Sequence, residues 1–203
     1  SKESWLGVLR DLKERGIEDP ALVVADGHLG IWAALPEIFP EAREQRCWNH
    51  KVVNVLDQMP TKKQTEAKKM VSAIPYSATR EEAEKGRGSF EVWCKTNGFE
   101  KAAEILARDW ERMMSFYSFP KEHWHHIRTT NVVESPFASL RLRTDAAKRF
   151  KKVENATAVI WKLLLVSEKR FRRLDSPELL KEVYEGVEFA DGVAIKKRKG
   201  VAA

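Results

Sequence analysis

One short stretch limits the fold more than any other. Between Pro20 and Gly27 the chain reads Ala21-Leu22-Val23-Val24-Ala25-Asp26. A continuous apolar run of this length, with β-branched residues at its centre, is the pattern of a strand buried on both faces. Most of the remaining periodicity is helical, so a helix-rich α/β fold is expected. Asp26-Gly27 ends the strand. Open α/β sheets place ligand-binding groups at the carboxyl ends of their strands. A turn made by Asp26 with Gly27 accounts for the same pair without any ligand.

The flanking segments divide the chain in three. Trp5, Leu6, Val8, Leu9 and Leu12 recur at helical spacing and predict a helix over 4–15. A second helix is expected over 29–35, halted near Pro36, with Ile38 and Phe39 anchoring a loop. Gln45-Arg46-Cys47 reads as a brief strand and 48–59 as a helix. From Pro60 to Pro120 no strand pattern occurs. A helix over 61–73 precedes Thr79-Arg80-Glu81-Glu82, a capping box. The helix it opens ends by Gly98, and another carries Ala103, Leu106, Trp110, Met113 and Met114. Trp110, Phe116, Tyr117 and Phe119 read as core rather than a base-stacking surface. The expected division is 1–59, an all-helical 60–120, and 121–203. The last part holds a long helix over 155–174, a short one begun by Ser176-Pro177-Glu178, and a frayed basic tail from Ala194 through Lys196-Lys197-Arg198-Lys199.

Charge follows the same division. Residues 1–59 hold 7 Lys/Arg and 10 Asp/Glu, whereas 141–173 hold 11 and 3. A basic third joined to an acidic one suits a polyanion-binding face beside a cation-binding site, although such runs also simply solvate helices. No apolar run is long enough to span a bilayer and the N-terminus lacks a signal-peptide pattern, so a soluble, cytoplasmic protein without a membrane partner is expected. Two cysteines make no disulfide framework. Cys47-x-x-His50 is half of a zinc pattern; Cys94 and the cluster His123, His125, His126 lack matching spacing.

The stretch Arg128-Thr129-Thr130-Asn131-Val132-Val133-Glu134-Ser135-Pro136 sets one acid ahead of the basic run Arg141, Arg143, Lys148, Arg149, Lys151 and Lys152. Asn131 as N-cap puts Glu134 in a first helical turn. That start makes Pro136 a fifth helical residue and removes a backbone hydrogen bond, whereas Ser135 as N-cap puts Pro136 in the first helical position, where it fits well; both starts stay open. Carboxylates such as Asp26 and Glu134 suit Mg²⁺, and a pair of such ions supports in-line phosphodiester displacement. The basic residues suit phosphate contacts.

Three blocks carry a resemblance. Val23-Val24-Ala25-Asp26-Gly27-His28-Leu29-Gly30-Ile31 is the first. Phe39-Pro40-Glu41-Ala42-Arg43-Glu44-Gln45-Arg46-Cys47-Trp48-Asn49-His50 is the second. Thr129-Thr130-Asn131-Val132-Val133-Glu134-Ser135, with Arg141-Leu142-Arg143-Thr144 beyond, is the third. In order and spacing they resemble the C-terminal portion of Mutator family transposases, the bacterial insertion-sequence type. The resemblance implies a partial ribonuclease H-like core interrupted by the helical stretch 60–120. It also implies Asp-Asp-Glu chemistry: two Mg²⁺ or Mn²⁺ ions, DNA cleavage at element ends, and strand transfer into target DNA by a homo-oligomer when full length. Asp26 and Glu134 fall on the second and third acids. Cys47, His50 and Asn131 fall on motifs near the site, and Arg128, Arg141, Arg143, Lys148, Arg149, Lys151 and Lys152 are candidate DNA contacts.

The family's first Asp has no convincing counterpart among Glu3, Asp11 and Asp19. The 203 residues alone are therefore expected to be inactive and, with an exposed sheet edge, to associate. A truncated, non-catalytic DNA-binding remnant and a zinc-stabilised helical interaction module are the alternatives.

Overall fold

The computed structural model describes residues 1–195, so Lys196-Lys197-Arg198-Lys199 of the expected tail lie outside the described residues. The chain forms two compact units. One comprises Ser1–Thr129 with the described residues from Ser176 on; the other is Thr130–Asp175.

The first unit begins with helix α1 (Lys2–Glu14), whose first turn is capped by the Ser1 hydroxyl accepting from the Ser4 N–H. Strand β1 (Leu22–Ala25), helix α2 (Leu29–Ile38) and strand β2 (Arg43–Arg46) follow. β1 and β2 pair in parallel, with Leu22 opposite Arg43 and Ala25 opposite Arg46. Parallel pairing requires a crossover, and α2 supplies it. α1 and α2 pack together, and Leu6, Leu9, Ala25, Ile31, Trp32, Ala34, Leu35, Ile38 and Phe39 form one core. β1 is only half-buried along Leu22-Val23-Val24, short of the two-sided burial its apolar run implies. α2 also runs past Pro36, where the sequence predicts a stop. Proline removes one backbone hydrogen bond from a helix interior; burial of Trp32, Ala34, Leu35 and Ile38 on that helix offsets the loss.

A second core lies among helices α3 (Trp48–Leu56), α4 (Thr61–Ala73), α5 (Arg80–Asn97), α6 (Glu100–Ala107), α7 (Trp110–Met114) and α8 (Trp124–Ile127). It contains Trp48, Val52, Val55, Val71, Phe90, Leu106, Met113, Phe116 and Trp124. The predicted capping box opens α5: the Glu82 N–H donates to Thr79 Oγ1 at 3.2 Å. The return bond lands one residue early, on the Ala78 N–H. Gly98 closes α5 in the left-handed conformation, φ 75°. Trp110, Phe116, Tyr117 and Phe119 are all buried, as their spacing indicates.

The single helix expected to carry Ala103, Leu106, Trp110, Met113 and Met114 is instead broken into α6 and α7. Asp109 sits at the break with φ 67°, a left-handed conformation that Asp tolerates better than most residues.

The two cores meet at Gln45, which is fully buried. Its amide donates to the carbonyls of Arg46 and Met113, at 2.8 and 3.1 Å, and accepts from the Phe116 N–H at 2.9 Å. The indole N–H of Trp48 also donates to Met113 O.

After Asp175 the chain returns to this unit. A short 3₁₀ turn (Pro177–Leu179) leads into α11 (Leu180–Tyr184), so the segment opened by Ser176-Pro177 is shorter and tighter than a regular helix. Strands β3 (Phe189–Ala190) and β4 (Val193–Ala194) then form an antiparallel hairpin. Ala194 therefore lies in a strand, not in a frayed tail. Asp191 and Gly192 make its turn with φ 48° and 79°, the Asp-Gly signature of a two-residue hairpin. The Asp191 carboxylate accepts from the Arg80 N–H at 2.7 Å, satisfying a donor in the first turn of α5. A Cβ on Gly192 would meet the Lys121 backbone at 2.9 Å, so the close approach requires glycine.

The second unit is a helical hairpin: α9 (Asn131–Ala146) and α10 (Val153–Glu168), packed on each other. Thr130 is the N-cap of α9, one residue before Asn131, and Pro136 lies inside the helix. The Ser135 alternative is thus not adopted. α10 ends at Glu168, short of the 174 expected, and has no buried residue. Among the described residues no helix is long and apolar enough to cross a membrane.

Candidate functional site

In the first unit the site residues gather at the carboxyl edge of the β1–β2 pair. The register that sets Ala25 against Arg46 makes Asp26 and Cys47 the next residues on both strands. The Cys47 N–H donates to Ala25 O at 2.8 Å, continuing the ladder to that edge. Asp26 is exposed, and its Oδ1 accepts from the His28 N–H at 3.0 Å. That is the Asx turn expected of Asp-Gly. It orients the carboxylate without consuming its capacity, since an ionised carboxylate accepts at several lone-pair positions.

Neighbouring side chains are held in place. His28 is the N-cap of α2; its Nδ1 accepts from the Gly30 N–H at 3.1 Å and from the Trp5 indole N–H at 3.2 Å. Cys47 is fully buried, with its Sγ 3.3 Å from Nδ1 of half-buried His50. Two other zinc candidates are engaged elsewhere. Cys94 lies in the helical core, where burial pushes its thiol up to about 11. The His123 ring bonds the Ser176 carbonyl at 3.1 Å.

Behind this edge lies a charged group that no sequence motif marks. Lys51 is 1% exposed. Its ammonium donates to the carbonyls of Ile105 and Arg108, at 2.8 and 2.6 Å, and to the Asp109 carboxylate at 3.1 Å. It therefore caps the last turn of α6 and fixes the break before α7. Burial, with the charge of Arg46 added, pushes Lys51 down to about 8 against the opposing pull of Asp109. Burial would raise Asp109, but the Lys51 hydrogen bond, with the charges of Lys51, Arg46 and Arg112, holds it below its ordinary value. A signal was readable: Lys51 stands between Trp48 and Val55 on the inward stripe of α3.

Arg128 also belongs to this unit. Its guanidinium donates to Pro75 O at 2.7 Å and stacks 3.9 Å from the Tyr76 ring centroid, while its carbonyl accepts from the Trp48 N–H at 3.1 Å. These bonds hold Arg128 within the protein, unlike the exposed basic candidates that follow it.

The second unit carries the remaining candidates. Glu134 lies in the first turn of α9, its N–H bonded to Thr130 O at 3.1 Å and its carboxylate accepting from the Thr130 hydroxyl. The first turn is where the helix macrodipole favours an anion. Asn131 is the first helical residue, and Arg141 and Arg143 are exposed near the end of the same helix. Lys148, Arg149, Lys151 and Lys152 are exposed in the segment joining α9 to α10.

Comparison with known proteins matches the chain to the family described as Transposase, Mutator family, over residues 1–173. It is 42% identical over 194 residues to the transposase for insertion sequence element IST2 of Acidithiobacillus ferrooxidans, covering 95% of this chain and 65% of that protein. It is 36% identical over 197 residues to the transposase for insertion sequence element IS6120 of Mycolicibacterium smegmatis, covering 97% and 61%. A transposase for insertion sequence element IS1081 of Mycobacterium tuberculosis is 30% identical over 146 residues, 72% of this chain and 35% of that protein. The chain belongs to the Mutator family of transposases. It spans less than two thirds of the length of each of these relatives.

Proposed function

We propose that the chain supplies the larger part of the catalytic core of an insertion-sequence transposase, which cuts DNA at element ends and joins them to a target. In this reading 1–59 and 121–203 are parts of a ribonuclease H-like core and 60–120 is its helical insertion. Asp26 and Glu134 are two of three metal-binding acids, with Cys47, His50 and Asn131 near them. Arg141, Arg143, Lys148, Arg149, Lys151 and Lys152 hold the DNA backbone.

The observation that carries the reading is the register of β1 and β2 in a chain of this family. It sets Asp26, an exposed carboxylate, at the carboxyl edge of a parallel pair beside the Cys47-x-x-His50 segment. The Trp48–Arg128 bond ties the chain to the same edge six residues before Glu134. Asp26 and Glu134 offer hard carboxylate oxygens, the donor class of Mg²⁺ and Mn²⁺. Two such ions, when bound, supply an activated hydroxyl and a stabilised leaving oxygen. The protein's own part is orientation: the His28 N–H fixes Asp26, the Thr130 hydroxyl holds Glu134, and the basic surface of α9 binds phosphates without reading sequence.

The test is a mobility assay of a marked element driven by the complete coding sequence. Asp26→Asn and Glu134→Gln should each abolish excision and strand transfer while element-end DNA is still shifted in a gel. Transposition that survives either change would refute the assignment of that acid.

A further inference from the structure

The edge beside Asp26 holds a cation whose hydrogen-bonding capacity the fold does not fill. Arg46 is 7% exposed. Its guanidinium lies across Gly27, where a Cβ would stand 1.4 Å from Nη1 and 2.0 Å from Cζ. Gly27 also has φ 99°, so backbone and packing both demand glycine there. Nη1 is 3.7 Å from the Asp109 carboxylate, beyond ordinary hydrogen-bond reach. That carboxylate already takes Lys51 at 3.1 Å and Arg112 at 3.4 Å. Nη2 reaches the Asn54 side-chain oxygen at 3.0 Å when that amide is turned to satisfy both of its groups. Nε is buried and has no partner among the described residues.

Lys51 next to it is a contrast, since its three bonds to Ile105 O, Arg108 O and Asp109 match the three donors of an ammonium. A buried donor without a partner is costly and uncommon; Trp32, Arg87 and Trp110 each leave one as well, so the case for an outside acceptor at Arg46 depends on space to admit it. There is room for one. Arg46 lines a cavity of about 340 Å³ together with Gly27, Leu29, Lys51, Arg108 and Asp109. The cavity's cations are Arg46, Lys51 and Arg108, and its anions are Asp57 and Asp109, an excess of one positive charge.

We propose that Arg46 binds a phosphodiester oxygen of the DNA strand lying at the β1–β2 edge beside Asp26. This rests on the reading of that edge as the reacting site. The chemistry favours a phosphate: a guanidinium presents a planar fork that matches phosphate oxygens, and its charge does not titrate away at neutral pH. Gly27 and the buried side-chain stem fix the fork before the strand arrives, which reduces the ordering cost of binding. The guanidinium lies against Gly27, the residue that follows Asp26 in the chain, so a phosphate held there is on the Asp26 side of the edge.

The experiment follows the Nε–H resonance of Arg46 in the ¹⁵N-labelled 203-residue chain, assigned by its disappearance in Arg46→Lys. The probes are a single-stranded oligonucleotide and, separately, inorganic phosphate, each against chloride at matched ionic strength. The resonance should move and saturate with the oligonucleotide. Arg46→Gln should weaken oligonucleotide binding about tenfold and lower its salt slope by about one. Gly27→Ala, which displaces the guanidinium, should act in the same direction. A response to inorganic phosphate without one to the oligonucleotide, or to neither, overturns the proposal. The resonance is read in the unaltered protein, so a failure of Arg46→Gln to fold does not obscure the result. If the resonance responds to DNA while transposition survives Asp26→Asn, the phosphate site stands and the reading of Asp26 falls. If Asp26→Asn abolishes transposition and the resonance is silent, the arginine assignment alone falls.

Discussion

At the scale of single residues, the unusual group is Lys51, an ammonium buried behind the β1–β2 edge. Its folded value of about 8 lies below its ordinary 10.5. Between those values the unfolded chain binds the extra proton, so the Lys51 contribution to stability grows as pH rises through this window and is constant below it. Heteronuclear titration of the Lys51 side chain should give a midpoint near 8; a midpoint at its ordinary value would mean that the Asp109 interaction fully offsets burial. The same triad explains why Asp109 tolerates φ 67°: Lys51 satisfies the carbonyls left open where α6 stops.

At the scale of elements, Gln45 joins β2 to the helical core. Gln45→Leu keeps the volume but leaves the Phe116 N–H without its acceptor and Met113 O with one donor fewer. Each orphaned buried group costs about 1–3 kcal/mol, and the destabilisation should appear as a lower denaturation midpoint at unchanged m-value. On α9 the exposed Arg141 and Arg143 are the cleanest test of a phosphate-binding face. Replacing both with Gln should weaken DNA binding and flatten its dependence on salt by about one unit of slope for each phosphate no longer neutralised. An unchanged slope would make them structural.

The elements also show what could be read from residues alone. Helices α1, α3 and α4, the Thr79 cap, the Gly98 stop and the two short strands follow from spacing and turn chemistry, whereas the parallel pairing of those strands and the start of β2 at Arg43, two residues before Gln45, come from the fold. For the β3–β4 hairpin the sequence carries a turn signal, Asp191-Gly192, but strands of two residues leave no alternation to detect. The break at Asp109 was not legible. Its stabilising partner, Lys51, is 58 positions away, and helical periodicity carries no record of such a bond.

At the scale of the whole molecule, both hydrophobic cores are built from the first unit, and neither contains a described residue of Thr130–Asp175. Replacing residues 130–175 with a flexible Gly-Ser linker should therefore leave a cooperatively melting protein with the near-ultraviolet spectrum of packed Trp48, Trp110 and Trp124. Loss of cooperative unfolding would show that the helical hairpin is part of the stability of the rest. The units divide the candidate residues too: Asp26, Cys47 and His50 belong to one, Glu134 and the basic residues of α9 to the other.

By itself the sequence determined the helix-rich α/β class, the family, and the residue types of the candidate site. Those depend on local periodicity, turn-forming residues and short motifs, which are written in consecutive positions. The tertiary structure decided which charges are buried and which residues share an edge. Arg46 reads as an ordinary basic residue, and the inward position of Lys51 on α3 has no stated partner, until Gly27, Asp109 and the end of α6 are folded around them. Burial and pairing are then set by groups far apart in the chain, and these convert a soluble charge into a fixed donor.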